Sequence, residues 1–198
     1  ALIDGAGRRV QQHGRAGIGA RKEGPSRIDI SDKRIGIVGT GYSGKHLAAM
    51  LSCFTSSLYA YAPRPDYEWA EQAGVRYVEL DELCESCDFI SLHASADRQI
   101  IGKRQLSLMK ETTVLVNCAR NILVDSRAVW RAVRDGGIFG YGIDEVWEHE
   151  DLPLYGINII ASPHVASDTD RGKLGMQLGS VQAVESFLRG ETPENCIT

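Results

Sequence analysis

At 198 residues, with 43% hydrophobic and 24% charged residues, the chain has the composition of one ordinary globular domain, or at most two. Its net charge of −4 argues against a general nucleic-acid binder, and its apolar runs are too short to span a membrane. No secretory signal is visible near the amino terminus. We therefore predict a cytoplasmic protein whose partners include neither nucleic acid nor a membrane.

Residues 1–33 differ in composition from the rest of the chain, because they are rich in glycine and basic residues and hold only scattered large apolar side chains. We interpret this stretch as an arm or linker with at most one helix near residues 1–12. We expect it to be solvated or to pack on another subunit; contact with a polyanion is a less favoured alternative. Residues 34–198 are predicted to form the main domain.

The stretch 34–50 combines a strand pattern, a glycine loop and a helix pattern. The apolar run 35–38 predicts a buried strand. Apolar residues at helical spacing follow the loop, namely Leu47, Met50, Leu51 and Phe54. Between them lies a GxGxxG sequence at 39–44. A strand, a glycine turn and a helix are the three parts of a dinucleotide-binding site, although the glycines alone would also fit a plain βα turn.

Each position of this loop has a predicted role. Gly39 allows a tight turn, Gly41 lets the backbone approach a pyrophosphate, and Gly44 lets the helix pack closely on the strand. The first N–H groups of the helix, around Tyr42 and Ser43, and the helix dipole then face the phosphates. The loop therefore predicts NAD or NADP as a cofactor.

From residue 57 onward, strand and helix patterns alternate. Strands are predicted over 57–61, 76–78, 88–93, 113–117, 138–144 and 158–161, and helices over 66–72, 81–87, 103–109, 125–134 and 170–189. The last helix carries an apolar face made of Leu174, Leu178, Val181, Val184 and Leu188. This alternation predicts an α/β fold, a doubly wound parallel sheet of the Rossmann type that ends in a C-terminal helix.

The five cysteines form no set of paired spacings. Cys84 and Cys87 make a single CxxC without a second half, so we predict no metal site. We interpret them as small residues at a helix end in a reducing compartment.

Reactive side chains are expected at strand ends, because the ligand of a doubly wound sheet lies beyond the carboxyl ends of its strands. Those positions hold Arg64, His93, Arg120, Asp144 and His164. Singly, Arg120 would fit a surface arginine, and His164 a structural histidine beside a proline turn. An arginine can bind a carboxylate bidentately, however, and a histidine beside a carboxylate can donate a proton near neutrality. With hydride from a nicotinamide, such a pair would reduce a 2-oxo acid.

Several motifs occur in one order along the chain: GTGYSG at 39–44, DFISLH at 88–93, VNCAR at 116–120 running into LVD at 123–125, GID at 142–144 and SPHVASDT at 162–169. Together they resemble the nucleotide-binding domain of the D-isomer-specific 2-hydroxy-acid dehydrogenases, the family of D-3-phosphoglycerate dehydrogenase and the D-lactate and glyoxylate/hydroxypyruvate reductases. The resemblance implies an NAD(P)-dependent oxidoreductase that transfers a hydride between the nicotinamide and a 2-oxo or 2-hydroxy acid.

The same resemblance assigns residue roles. Arg120 would bind the substrate carboxylate, and His164 would act as acid and base. Asp144 would lie near the nicotinamide, and His93, Cys118 and Ala119 would contact the cofactor. A glutamate before the histidine would orient it; the candidates are Glu145, Glu148 and Glu150, of which Glu150 fits if an extra residue follows Asp144.

The sequence also departs from the family pattern. Asn121 stands where glycine usually follows the arginine, and the loop between His93 and Gly102 is shorter than usual. The family's substrate domain is not recognisable in this sequence, so we expect either a piece of a longer protein or a reduced relative. These departures leave one alternative open, a nucleotide-binding scaffold or sensor with little turnover. By resemblance the arm helps subunits pair, which predicts a homodimer.

The end of the second predicted strand bears on the choice of cofactor. NAD-binding members of this fold carry an acidic residue there, ~20 residues beyond the glycines, that binds the ribose hydroxyls. Here the position holds Ala62, and Arg64 follows between two prolines. A guanidinium could bind a 2′-phosphate with two charge-assisted hydrogen bonds. The sequence therefore favours NADP over NAD; the alternative is a solvated turn arginine.

Overall fold

The computed structural model describes residues 29–145, 147, 149 and 151–193. Most of the predicted arm, with its candidate helix near residues 1–12, lies outside the described residues, as do Glu148 and Glu150. The strands are β1 Ile35–Val38, β2 Leu58–Tyr61, β3 Val75–Tyr77, β4 Phe89–Leu92, β5 Val114–Asn117, β6 Gly140–Ile143 and β7 Ile159–Ala161. The helices are α1 Tyr42–Leu51, α2 Tyr67–Ala73, α3 Leu80–Ser86, α4 Lys103–Leu108, α5 Ser126–Arg134 and α6 Asp170–Leu188, with a 3₁₀ turn at Asn121–Leu123.

The described strands form one seven-stranded sheet in the order β3-β2-β1-β4-β5-β6-β7, and every neighbouring pair is parallel. The chain starts at β1, moves outward to β3, and then crosses back to place β4 on the other side of β1. That reversal is the switch point of a doubly wound sheet, where ligands bind beyond the strand ends. The predicted Rossmann-type fold is confirmed.

Helices cover the sheet on both faces. Ile37 belongs to one buried cluster with Ala48, Leu58 and Ala60. Its neighbour Val38 belongs to a larger cluster. Because successive side chains of a strand point to opposite faces, the two clusters lie on opposite sides of the sheet. The near-continuous apolar strands follow from this burial on both faces.

The first helix differs from its predicted apolar pattern. It ends at Leu51, so Phe54 is not part of it, and both Met50 and Phe54 are mostly exposed. Its buried residues are instead Gly44 and Ala48. Small residues allow the helix to lie close to the strand. Of the predicted apolar face, Leu47 and Leu51 are partly buried against the cluster around Ile37, as expected, whereas Met50 and Phe54 turn outward.

The sixth strand also begins later than predicted. The N–H groups of Gly137 and Ile138 both donate to the carbonyl of Ala132, at 2.8 and 3.2 Å. Residues 137–138 therefore belong to the turn that ends α5, and the ladder starts at Gly140. The helix α5 is capped at its amino end by the first residue of its predicted range, because Asp125 Oδ1 accepts from the Ala128 N–H at 2.9 Å.

Cys84 and Cys87 lie at the carboxyl end of α3 and are fully buried. Burial raises the pKa of the Cys84 thiol to about 12 and that of Cys87 to about 11. Both thiols are therefore protonated, packed core groups. Across the described residues, no cluster of three His, Cys, Asp or Glu side chains could hold a metal ion.

The chain divides into two compact units, one up to Pro163 and one from His164 onward. The second unit contains α6, whose described residues are all at least partly exposed. The side chains of its predicted apolar face are each more than half exposed. That α6 belongs with residues 34–163 in one dinucleotide-binding domain stays a prediction. Within the described ranges, no helix has the length and apolar character needed to cross a membrane.

Candidate cofactor and substrate site

The glycine loop connects β1 to α1 at the switch point of the sheet. Gly39 has φ +97°, and a Cβ there would lie 2.6 Å from the Ala94 N, so the loop packs against the end of β4. A Cβ on Gly44 would lie 2.0 Å from the carbonyl oxygen of Gly39. A Cβ on Gly41 would meet nothing within 4 Å. Gly39 and Gly44 are thus needed because a side chain there would clash with nearby backbone, whereas Gly41 borders open space.

The amino end of α1 has no side-chain cap. Gly41 is its N-cap residue, and the first backbone bond of the helix runs from the Lys45 N–H to the Gly41 carbonyl at 3.0 Å. The preceding N–H groups, those of Tyr42, Ser43 and Gly44, have no partner inside the helix. Together with the helix dipole, they make a site suited to an anion.

A polar rim surrounds the outer side of this loop. Thr40 Oγ1 and the Tyr77 hydroxyl lie 2.6 Å apart, and the same hydroxyl accepts from the Asp66 N–H at 3.3 Å. Lys45 Nζ lies 2.5 Å from Asp66 Oδ2, and this hydrogen bond lowers the pKa of Asp66. Arg64 is exposed at the same rim and makes no hydrogen bond or ion pair with the described residues.

Two of these rim residues were not singled out from the sequence. Lys45 could have been found from its place in the first turn after the glycine loop, and Tyr77 from its place at the carboxyl end of β3. Only the strand order, with β3 outside β2, shows that Tyr77 reaches the loop.

His93 follows β4 and lies against the glycine loop. Its backbone N–H donates to the Val38 carbonyl at 2.7 Å, and its ring atom Nε2 lies 2.9 Å from Ser91 Oγ. A Cβ on Gly39 would come within 2.7 Å of the His93 carbonyl carbon. Burial lowers the pKa of the imidazole, which favours its neutral form.

The turn after β5 carries Cys118, Ala119 and Arg120 and is held by the buried side chain of Asn117. Asn117 Oδ1 accepts from the Ala119 N–H at 3.0 Å, and its Nδ2 donates to the Arg120 carbonyl at 2.8 Å. Arg120 is exposed, with Nη1 donating to the Ala119 carbonyl at 2.9 Å. Partial burial and then the Asp144 carboxylate raise the pKa of the Cys118 thiol. Sequence reasoning missed the role of Asn117, although its place at a strand end was visible.

Asp144 and Glu145 follow β6 at the same edge of the sheet. Asp144 is buried; its N–H donates to the Asn117 carbonyl at 3.0 Å, and its Oδ1 accepts from Ser162 Oγ at 2.6 Å. Glu145 Oε2 accepts a hydrogen bond from the Asn121 N–H. The structure therefore brings Cys118, Ala119, Arg120 and Asp144 together at the carboxyl ends of β5 to β7.

His164 is the first residue of the second compact unit. It is exposed and has φ +57°, a left-handed conformation uncommon outside glycine. Glu148 and Glu150 lie outside the described residues, so the pairing of a glutamate with His164 stays a prediction.

These features define a Rossmann-type nucleotide-binding domain with an arginine and a buried aspartate at neighbouring strand ends. Residues 3–166 match the family described as D-isomer specific 2-hydroxyacid dehydrogenase, NAD binding domain, and the chain belongs to this family. The resemblance inferred from the motifs is confirmed.

Individual relatives agree with this assignment. The chain is 34% identical over 178 residues to D-3-phosphoglycerate dehydrogenase of Methanocaldococcus jannaschii, covering 86% of this chain and 34% of that protein. It is 33% identical over 177 residues to glyoxylate reductase of Korarchaeum cryptofilum, covering 85% of this chain and 53% of that protein. The chain thus spans between a third and about half of the length of these relatives.

Solved structures show the same fold. Apo D-lactate dehydrogenase from Escherichia coli superposes with a TM-score of 0.80 at 26% identity, covering 96% of this chain and 61% of that one. An acyclic imino acid reductase in complex with NADPH and D-Arg superposes with a TM-score of 0.81 at 26% identity, covering 98% of this chain and 62% of that one.

Proposed function

We propose that this chain provides the nucleotide-binding part of an oxidoreductase that transfers a hydride between a nicotinamide cofactor and a 2-oxo or 2-hydroxy acid. One observation carries the proposal. An uncapped helix N-terminus follows a glycine loop at the switch point of the sheet, and the ends of β5 and β6 in the same sheet present Arg120 and Asp144. A cofactor site and a carboxylate-binding group at one sheet edge fit this chemistry.

The residues at the loop fit a dinucleotide. The open space beside Gly41 leaves room for a pyrophosphate, and the N–H groups of Tyr42, Ser43 and Gly44 would bind it. The imidazole of His93 borders the loop, and burial lowers its pKa. The bound cofactor would supply or accept the hydride.

The protein groups would position the substrate and move its proton. Arg120 would bind the substrate carboxylate through two charge-assisted hydrogen bonds and so orient the neighbouring carbonyl. His164 would donate a proton to the carbonyl oxygen during reduction and accept it during oxidation. Glu150 is the proposed partner that orients the imidazole, with Glu148 and Glu145 as the alternatives.

We further propose that the cofactor is NADP(H) in preference to NAD(H). Ala62 offers no carboxylate to the ribose, and Arg64 is an exposed cation two residues further along the same rim. Solved structures of this fold hold either cofactor: the acyclic imino acid reductase was solved with NADPH, and D-lactate dehydrogenase from Aquifex aeolicus with NAD. A homodimer and a cytoplasmic location also stay predictions.

Titration of the full chain with NADH and NADPH, followed by assays on a panel of 2-oxo acids, tests the proposed function. Arg120→Ala should lower kcat/KM by roughly thirtyfold or more, the scale of a lost contact worth about 2–4 kcal/mol, while cofactor affinity is unchanged. Arg131→Ala, an exposed arginine on α5, is the matched control. Cofactor binding without turnover on any 2-oxo acid would favour the scaffold alternative, and equal activity of Arg120→Ala and wild type would refute the role of Arg120.

A further inference from the structure

Two loops that leave neighbouring strand ends are in contact beside Arg120. Asn121 follows Arg120 in the loop after β5, and Glu145 follows Asp144 after β6. The N–H of Asn121 donates a hydrogen bond to Oε2 of Glu145. The bond joins a main-chain N–H of one loop to a side-chain carboxylate of the other, so Glu145 is the side chain on which it depends.

This interaction completes the anchoring of one peptide group. The carbonyl of Arg120 and the N–H of Asn121 belong to the same planar peptide. Its oxygen accepts from Asn117 Nδ2 at 2.8 Å and from the Leu123 N–H at 3.1 Å. Its N–H is bound by Glu145. The peptide group between Arg120 and Asn121 is therefore hydrogen-bonded at both its oxygen and its N–H. These bonds limit rotation about the ψ angle of Arg120, which is 143°.

The sheet brings these anchors together. Asn117 and Ile143 are aligned partners at the last rungs of β5 and β6, so the chain leaves both strands side by side. Glu145 is two residues beyond β6, and Asn121 is four beyond β5. A carboxylate that accepts from a backbone N–H makes a charge-assisted bond, stronger than one between neutral groups. The Glu145 bond therefore restrains this peptide group further than the Asn117 side chain does by itself.

We propose that Glu145 is a positioning residue for Arg120: its carboxylate, bound to the Asn121 N–H, fixes the peptide after Arg120 and with it the direction in which the guanidinium leaves the loop. The expected effect on substrate binding rests on the proposed function, in which Arg120 binds the substrate carboxylate. The fixing of the loop itself does not depend on any substrate.

Amide hydrogen exchange and ¹⁵N relaxation of the full chain test the contact directly. Glu145→Ala should raise the exchange rate of the Asn121 amide by roughly tenfold or more and lower the order parameter at Arg120. Glu145→Gln keeps an uncharged acceptor and should fall between wild type and Glu145→Ala. Glu111→Ala, an exposed glutamate at the opposite end of β5, is the matched control and should change neither value. An unchanged Asn121 exchange rate and Arg120 order parameter in Glu145→Ala would overturn the proposal.

Kinetics on a 2-oxo acid give a second readout. Glu145→Ala should raise KM for the 2-oxo acid while the Kd for the reduced cofactor stays the same, and Glu145→Gln should partly restore KM. In an Arg120→Ala background, Glu145→Ala should cause no further loss, because the group it positions is gone. A full, additive loss in the double variant would overturn the positioning role. If Arg120→Ala itself has no effect, the proposed function fails, and the order parameter at Arg120 still decides whether Glu145 holds this loop.

Discussion

Two single substitutions in the glycine loop distinguish glycines needed for the stability of the fold from the glycine proposed to make room for the cofactor. Gly44→Ala would place a Cβ 2.0 Å from the Gly39 carbonyl oxygen, at least 1 Å closer than the 3.0 Å that real Cβ atoms keep. The obstacle is backbone that cannot retreat, since the Gly39 N–H is bound to the Tyr61 carbonyl at 2.8 Å. The loop also packs against Ala94 on its other side.

The expected destabilisation follows from this geometry. Overpacking a well-packed site costs about 1–3 kcal/mol, and a rigid backbone obstacle puts Gly44→Ala near the upper end. Alanine regains up to about 1 kcal/mol of helix propensity. The net loss of about 2 kcal/mol should lower Tm by about 4–8 °C for a chain of this size. Thermal and urea unfolding followed by circular dichroism measure it.

Gly41→Ala is the matched comparison on the same loop. Gly41 has φ −72°, which alanine adopts freely, and its Cβ would meet nothing within 4 Å. Its free energy of unfolding should therefore stay within about 1 kcal/mol of wild type. The added methyl group would occupy the space proposed for the pyrophosphate, so NADH and NADPH affinity should fall by roughly tenfold. A Gly44→Ala protein as stable as wild type would refute the packing argument, and undiminished cofactor affinity in Gly41→Ala would refute the placement of the pyrophosphate.

Two further predictions concern the rim of the site and its pH dependence. Arg64→Ala should weaken NADPH binding by roughly tenfold and leave NADH binding unchanged, as measured by nicotinamide fluorescence with Arg131→Ala as control; a preference for NADPH that survives the substitution would contradict it. Because burial lowers the pKa of His93, the unfolded chain binds a proton more readily than the folded one, so stability falls as the pH drops through the unfolded value of about 6.5. His93→Gln should reduce the loss of Tm between about pH 7.5 and 5.5, and an equal loss in both proteins would show that His93 does not contribute.

Local patterns in the chain were sufficient to predict the fold. The alternation of short apolar strands with helices of crossover length admits few arrangements other than a doubly wound parallel sheet. The motif order from the glycine loop to His164 was likewise sufficient to predict the family. Caps such as Asp125 were predictable because the capping bond spans only three residues.

Contacts between distant segments depended on the tertiary structure. The Tyr77 hydroxyl reaches Thr40 Oγ1 only because β3 lies outside β2 in the sheet. The spacing of the two residues in the sequence does not predict this hydrogen bond. Asn121 and Glu145 are separated by 24 positions in the chain, and nothing in the sequence indicated that they are in contact. The parallel register of β5 and β6 places them side by side, because strands aligned at their last residues release their loops at the same edge. Periodicity determines which residues form strands; strand order and register determine which side chains meet beyond their ends.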